Sequence, residues 1–488
     1  MPTVTLNRKT FEKLLGKKLP TEKLKDRISY LGTDLESVTD SEIVVEIFPN
    51  RPDMLSEQGL ARAMKSFLGI KTGLVPYTVT KGKGEVIIEK AVEHVRPYTA
   101  CAIVRGMKFD DEKIRELIQI QEKLHITHCR NRRKAAIGIY PLEKIALPIR
   151  YTAKKAEDIV FRPLESAKRM NAKQMLTLHP AGRDYGYLLE GMAMFPVFID
   201  ENDEVLSVPP IINSHQTGKV SATTTDVFVE CSGFDHDVLH TLLVIILTAM
   251  ADMGGKIEEM TLRYPTKKVI CPDFTPKKMK LDAEAVNKLL GLSLSESEIH
   301  GHLKQMGYGV EKGYVLIPRY RADIQHPWDL IEDIAIAYGY ENIEESPPGF
   351  FTAAEEDPFV KFVNKVAGVL VGYGLLEVNA YHLSSKKVQA TDMMVNDRSI
   401  HLEGSLNAEY DVLRAWLIPQ LLEILSKNKH HESPQHIFDV GVTFSQKGEM
   451  TRVAVALCNH DADFTLIKQH FDGLMRALDL KYELAEVE

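Results

Sequence analysis

The chain has 488 residues, 44% apolar and 26% charged, with a formal net charge of −8 and an isoelectric point near 6.1. These are the proportions of a water-soluble globular protein of several domains, and the acidic balance argues against wholesale coating of nucleic acid while leaving a local basic surface open. Five cysteines at 101, 129, 231, 271 and 458 contain no CxxC pair, which gives no zinc or disulfide framework and fits a reducing cytoplasm.

Met1-Pro-Thr-Val-Thr5 is followed quickly by charge, so no signal peptide is expected there. Residues 1–78 read as a small α+β domain. Helices are predicted over 10–15 and 21–31, with a strand over 43–47. The turn-rich Phe48-Pro-Asn-Arg-Pro-Asp-Met-Leu-Ser56 then enters a helix over 58–68 that Ser56 can cap. Asn50, Arg51 and Asp53 read either as a polar site or, more simply, as an ordered turn with its own hydrogen bonds.

Thr80-Lys-Gly-Lys-Gly84 reads as a linker to a larger α+β domain over 85–265. Strands are predicted over 86–88, 100–104 and 135–140, and an amphipathic helix over 110–125. Cys129-Arg-Asn-Arg-Arg-Lys134 has the chemistry for RNA phosphates, or is a solvated charged turn. His179-Pro-Ala-Gly-Arg-Asp-Tyr185 reads as a polar loop. Residues 205–220 are extended, with Pro209 and Pro210 expected to prevent regular pairing. Asn213, Ser214, Thr217 and Gly218 offer short hydrogen-bonding groups and open backbone. Residues 227–232 alternate, placing Phe228, Glu230 and Ser232 on one face of a strand. Hydroxyls with one carboxylate suit a water or a phenolic hydroxyl; a polar sheet edge is the simpler alternative. The apolar run 238–253 is too short and too well capped to span a bilayer, and reads as a buried helix. His236 and His240, at i and i+4 with no third ligand nearby, read as structural.

Residues 265–275 read as a second linker, and 270–345 as a small winged-type domain. Asp282 and Ser295-Glu-Ser-Glu298 cap helices ending at Gly291 and Gly307, and Glu311-Lys-Gly313 turns a hairpin. A strand is predicted over 314–324, then a helix from Pro327 to about 338. Asp329, Glu332 and Asp333 stand at i, i+3 and i+4 on one face of it, with Asp323 able to join them. Either a cation or an arginine cluster offsets these charges, carboxylate oxygens suiting a hard ion such as Mg²⁺, or they are an acidic helix start favoured by the macrodipole.

Pro347-Pro-Gly349 separates a last domain over 350–488. In it Asp357-Pro358 opens an apolar helix, a strand covers 376–383, and Asn407-Ala-Glu-Tyr-Asp-Val-Leu-Arg414 and Phe438-Asp-Val-Gly441 follow.

Arg321-Ala-Asp-Ile-Gln-His-Pro-Trp-Asp-Leu-Ile-Glu-Asp-Ile-Ala-Ile-Ala-Tyr-Gly-Tyr340 resembles the signature of the β subunit of phenylalanyl-tRNA synthetases, archaeal and eukaryotic type. Pro49-Asn-Arg-Pro-Asp53, Pro209-Pro-Ile-Ile-Asn-Ser214 with Thr217-Gly-Lys-Val220, and the 405–441 region extend that resemblance. It implies an α+β multidomain fold ending in a class II synthetase-like antiparallel-sheet domain without an active site. In 350–488 there is no match to the arginine–glutamate pair or the glycine-rich strand that class II catalysis needs. Phe161-Arg-Pro-Leu-Glu165 mimics the former in the wrong domain, and the chain has no P-loop and no GxGxxG.

The resemblance further implies Mg²⁺ held by Asp323, Asp329, Glu332 and Asp333, and an α₂β₂ tetramer with a catalytic α subunit. The expected reaction is ATP-dependent attachment of phenylalanine to tRNA(Phe) in the cytoplasm, with no membrane involved. A second implied activity is editing, the hydrolysis of tyrosine mis-attached to that tRNA, with Glu230, Ser232, Ser207 and Asn213 as the site residues. The family's pocket has Leu, Ser, Asp and Thr at the positions of Phe198, Ser207, Glu230 and Ser232, so only Ser207 is retained. The family's last domain also continues past the equivalent of Glu488, which implies a short form or an incomplete chain. The rival expectations are a stand-alone deacylase of mischarged tRNA and a non-enzymatic RNA-binding or scaffold paralogue.

Overall fold

Short polar residues standing before apolar periodicity start most of the helices. Ser56 accepts from Gly59 N ahead of helix Glu57–Phe67, and Asp110 from Lys113 N ahead of Asp111–Ile126. Asp282 caps Ala283–Leu290, while Ser295 and Glu298 close a capping box on Glu296–Gln305. In this computed structural model, which describes residues 2–347, 349, 353–405, 407 and 409–485, the chain forms two units, Met1–Glu345 and Ser346–Glu488. Both mix helices with sheets, so the chain is an α+β multidomain protein. No helix among the described residues is long and apolar enough to cross a membrane.

The first unit opens on a three-stranded sheet with Glu42–Glu46 between Thr3–Asn7 and Asp34–Val38. Its central feature is a ten-stranded sheet. The strand path runs Ile212–Asn213, Val205–Val208, Phe195–Ile199, Ile149–Lys154, Val79–Ile88, Lys256–Arg263, Tyr98–Arg105, Val227–Gly233 and Ala135–Pro141, with Lys268–Cys271 paired to Lys256–Arg263 off that path. Helix His236–Asp252 buries every residue from 239 to 250. A helix apolar on all sides has nowhere else to go, and each such Leu, Ile or Val contributes about 1.5–3 kcal/mol by leaving water.

The first expected linker is a strand instead, and the second contains one. Residues 80–84 lie inside Val79–Ile88, parallel to Lys256–Arg263. A Cβ at Gly82 would sit 2.1 Å from the Glu259 carbonyl oxygen, and one at Gly84 2.9 Å from Met260 Cε. These glycines serve close backbone approach rather than freedom. Lys268–Cys271 interrupts the second linker, with Cys271 opposite Met260. Val205–Val208 pairs with its neighbours on both sides, because the two prolines come just after it. Residues 180–185 are helical rather than a loop, with His179 accepting from Ala181 N.

The small module that follows has strand Tyr314–Ile317 between Lys277–Lys280 and Gly309–Glu311. That strand stops at Ile317, short of the expected 324, since Pro318 has no N–H to donate. Helix Pro327–Tyr338 carries its proline in the first turn.

The second unit contains the antiparallel hairpin Gln435–Ser445 with Gly448–Cys458, and Leu376–Glu377 parallel to its first strand. Helices Pro358–Gly372, Ile418–Lys427 and Phe464–Ala477 accompany it. The expected strand over 376–383 is two short ones, Leu376–Glu377 and Leu383–Ser384. Arg414 is buried here and donates to Asp439 at 3.1 Å, to the Val442 carbonyl at 2.7 Å and to the Ala380 carbonyl at 3.1 Å. Pro348 of the expected boundary and Ala408 of the 407–414 motif lie outside the described residues.

Candidate functional site

The large sheet curls until the two ends of its strand path face each other. Tyr140, on the terminal strand Ala135–Pro141, donates to Ser207 Oγ at 2.8 Å on Val205–Val208. Asn213 Oδ1 is 3.4 Å from the same hydroxyl, and Glu230 Oε1 is 3.2 Å away. A cavity of about 920 Å³ opens over this point, with Ser207, Asn213 and Glu230 in its lining. Three of the four expected editing residues therefore meet around one phenol.

The register explains how. Glu230 lies opposite Gly138, and Phe228 opposite Tyr140. With no side chain at 138, the Tyr140 ring leans over the gap toward Glu230. A Cβ there would fall 2.2 Å from the Tyr140 hydroxyl and 2.5 Å from Glu230 Oε1. Tyr140 is fully buried, and its ring centroid is 5.7 Å from that of Phe228. Sequence reasoning placed Tyr140 on a strand and gave it no role. The signal it missed is a glycine two residues before an aromatic, opposite a buried carboxylate.

Burial pushes the Glu230 carboxyl up to about 8, against smaller pulls from Tyr140, the Arg96 guanidinium and Ser232. At neutral pH it is therefore mostly the neutral acid, able both to donate and to accept. The Tyr140 hydroxyl has one proton, which Ser207 takes at the shorter distance, and a neutral Glu230 then donates to the phenol oxygen.

Two expected pocket positions lie elsewhere. Ser232 is buried under Arg96, which donates to its hydroxyl at 3.2 Å and its carbonyl at 2.6 Å. Phe198 stacks on Tyr151 with centroids 4.2 Å apart, inside the sheet. Neither lines the cavity. Thr217 donates to the Val205 carbonyl at 3.1 Å and Gly218 packs on Asn213, so both shape the loop. His240 accepts from Asp273 N at 2.9 Å, a structural role.

The carboxylates near 330 divide in a way their spacing does not show. Arg321 grips Asp323 with two parallel bonds at 2.8 and 2.6 Å and reaches Asp333 at 2.7 Å. The Tyr308 hydroxyl also donates to Asp333. Asp329 accepts from the backbone N–H groups of Gln325 and His326, both at 2.7 Å, in a capping box. Only Glu332 stays exposed. Partial burial and the charges of Asp333, Asp329 and Asp323 raise its carboxyl. Among the described residues no three His, Cys, Asp or Glu side chains converge as a metal-binding group. As a four-carboxylate cage the set does not fit a metal ion, because Arg321 already supplies the countercharge.

Arg51 and Asp53 form a buried two-bond pair, both bonds 2.9 Å, so the Pro-Asn-Arg-Pro-Asp turn is held by its own hydrogen bonds. The basic cluster is a left-handed turn, with φ of 50°, 52° and 64° at Arg130, Asn131 and Arg132. For residues with a Cβ this costs about 1–2 kcal/mol each. Arg132 repays some of it by lying 4.1 Å over Tyr185 and donating to the Ile211 carbonyl at 2.8 Å. Arg133 lies 5.5 Å over the half-exposed Tyr187.

Residues 1–70 match the B1 domain of the Phe-tRNA synthetase beta subunit, 279–340 the tRNA synthetase B5 domain, and 343–488 the CLM domain of the phenylalanyl tRNA synthetase beta chain. The whole chain is 39% identical to the phenylalanine–tRNA ligase beta subunit of Archaeoglobus fulgidus, covering 89% of it. It is 37% identical to that of Pyrococcus furiosus, covering 90%. The crystal structure of an N-terminal fragment of the phenylalanyl-tRNA synthetase beta-subunit from Pyrococcus horikoshii matches 70% of this chain and all of that fragment. The TM-score is 0.67 at 35% identity.

Proposed function

The chain belongs to the phenylalanine–tRNA ligase beta-subunit family, and from that premise we propose that it joins a catalytic α subunit in an α₂β₂ assembly. The assembly attaches phenylalanine to tRNA(Phe) in an ATP-dependent reaction in the cytoplasm. The likeness running end to end carries this reading. Within it, Ser346–Glu488 takes the part of a class II-like domain without catalytic residues, and the Arg133–Lys134 surface contacts tRNA phosphates. The test is phenylalanylation by the cognate α subunit with and without this chain. Activity only with both is expected; equal activity from α alone would sink the assignment.

The cavity at the meeting of the sheet ends is the proposed editing site. Water attacks the ester carbonyl of tyrosyl-tRNA(Phe), the ester C–O bond breaks, and tyrosine leaves while the tRNA regains its ribose hydroxyl. Ser207, Asn213 and Glu230 read the side-chain hydroxyl, the kind of hydrogen-bonded recognition that separates tyrosine from phenylalanine by large factors. Ser232 stays outside the cavity and acts through Arg96 and the Glu230 carboxyl. Replacing Glu230 by Ala is expected to abolish tyrosyl-tRNA hydrolysis by the assembly and leave phenylalanylation intact; unchanged hydrolysis removes Glu230 from the role.

Mg²⁺ remains a narrower proposal. A hydrated Mg²⁺ needs only one or two protein carboxylates, and the exposed Glu332 beside Asp329 is the edge where the neighbouring carboxylates outweigh the pull of Arg321. There the ion would supply countercharge. One observation favours the non-enzymatic scaffold reading instead, namely that the Tyr140 hydroxyl already engages Ser207 and one oxygen of Glu230, leaving Oε2 of Glu230 as an acceptor unpartnered among the described residues. That reading predicts binding to α with no gain in activity.

A further inference from the structure

Arg96 is a buried cation whose charge the chain leaves unanswered. It is 3% exposed, and it donates from Nε to the Ser232 hydroxyl at 3.2 Å and from Nη2 to the Ser232 carbonyl at 2.6 Å. Among the described residues no acid forms an ion pair with it, and its other terminal nitrogen has no hydrogen-bond partner. Glu230 is the one carboxyl whose charge pulls on it, and burial keeps that carboxyl mostly neutral at neutral pH by lifting it to about 8. The other buried arginines, Arg8, Arg51, Arg321 and Arg414, each hold a carboxylate. A buried guanidinium without an anion is costly.

Arg96 lines a cavity of about 120 Å³ together with Arg132 and Arg133. Arg132 donates to the Ile211 carbonyl and to Glu122, while its buried Nε has no partner among the described residues. The rest of the wall is apolar, Leu188 and Leu189 included. Three guanidiniums around so small a space suit one anion with more oxygens than the two of a carboxylate, and guanidinium forks match phosphate oxygens two at a time. Two half-exposed rings flank the cluster. Phe234 lies 5.3 Å from the Arg96 guanidinium, and Tyr187 5.5 Å from that of Arg133. Backbone charge beside exposed aromatic rings is how unpaired nucleic-acid strands are held.

We propose that this cavity is a phosphate site, in which Arg96, Arg132 and Arg133 seat one phosphodiester of an unpaired RNA strand while Phe234 and Tyr187 face its bases. The strand as source of the phosphate rests on the proposed contact with tRNA; the anion site itself does not.

Equilibrium dialysis of the full chain against radiolabelled inorganic phosphate tests the site. The unsubstituted chain is expected to retain phosphate at millimolar concentration. Arg96→Met and Arg133→Met are each expected to weaken that binding about tenfold, the order of one charge-assisted hydrogen bond. Arg96→Met alters the core, so thermal melting checks its fold; Arg133 is exposed, and its replacement leaves the core untouched. No retained phosphate, or undiminished binding in Arg133→Met, would overturn the proposal.

A short fluorescent single-stranded ribonucleotide, followed by anisotropy on the same chain, identifies the source. It is expected to bind, to be displaced by inorganic phosphate, and to bind about tenfold more weakly to Phe234→Ala, a change that leaves inorganic phosphate binding as it was. Phosphate that is retained but displaces no strand would uphold the anion site and remove the strand from it. A strand that binds equally well to Arg133→Met would place the RNA contact elsewhere, overturning the proposal while the wider tRNA reading survives.

Discussion

Arg321 donates through one nitrogen to both Asp323 and Asp333, at 2.6 and 2.7 Å, with 2% of its side chain exposed. Asp333 belongs to helix Pro327–Tyr338, while Asp323 precedes it in the loop after strand Tyr314–Ile317. The guanidinium thus ties a loop to a helix where two carboxylates alone would repel.

Replacing Arg321 by Met is therefore expected to destabilise the chain by about 3–5 kcal/mol, since two acids stay buried without their cation. Chemical denaturation of the full chain measures this. A loss below about 1 kcal/mol would show that both acids protonate or reach solvent cheaply.

A second buried acidic contact governs pH dependence. Burial lifts Glu116 to about 8 and Glu57 to about 7, with the Glu57 charge adding to the Glu116 shift. Folded, both hold protons that the unfolded chain releases above its ordinary value of 4.5. Stability then falls as pH rises from about 4.5 to about 8, by at most about 1.4 kcal/mol per unit and group, and levels off beyond. Glu116→Gln is expected to raise the melting temperature on the alkaline side of this window and to change little on the acid side. An equal shift at both ends would place its effect in packing.

For Glu230 the expectation concerns its neutral form. As pH rises through about 8 the carboxyl ionises, loses its proton for donation, and hydrolysis of tyrosyl-tRNA(Phe) relative to phenylalanyl-tRNA(Phe) should decline. Glu230→Gln keeps a neutral donor and acceptor and should flatten that profile. A decline that persists in the Gln variant would assign the titration to another group.

In the second unit, a Cβ at Gly441 would stand 2.1 Å from Arg414 Nη2 and 3.1 Å from Asp439 Oδ1. Gly441→Ala should displace the buried guanidinium and cost about 2–4 kcal/mol, close to the effect of Arg414→Met. Limited proteolysis of residues 346–488 within the full chain reports it. Resistance equal to that of the unsubstituted chain would mean that Arg414 shifts without losing Asp439.

Local chemistry was legible in the sequence and distant pairing was not. Ser56, Asp282, Ser295 and Asp357 cap the helices that their spacing announces, since a cap needs only its next few neighbours. Gly82 and Gly84 misled because glycine serves both open loops and crowded strands, and Glu259 and Met260 lie far along the chain. Three carboxylates on one helical face and an offsetting arginine are legible in the spacing, but not that Arg321 is that arginine or that it reaches only Asp333 of the three, because the partner is set by how the loop folds back on the helix. Ser207, Asn213 and Glu230 were named from a resemblance, while Tyr140, which joins them, offers only a glycine two residues away as its signal.

Among the described residues the terminal strands that meet at the cavity share no ladder: there Ala135–Pro141 pairs only with Val227–Gly233, and Ile212–Asn213 only with Val205–Val208. Side chains bridge the gap, among them Tyr140 to Ser207 and Arg132 to the Ile211 carbonyl. The sheet is thus a split collar held shut by side-chain clasps. Parting those two ends would break no main-chain bond between strands, so the work of separating them is set by the side-chain clasps and not by the stiffness of the sheet.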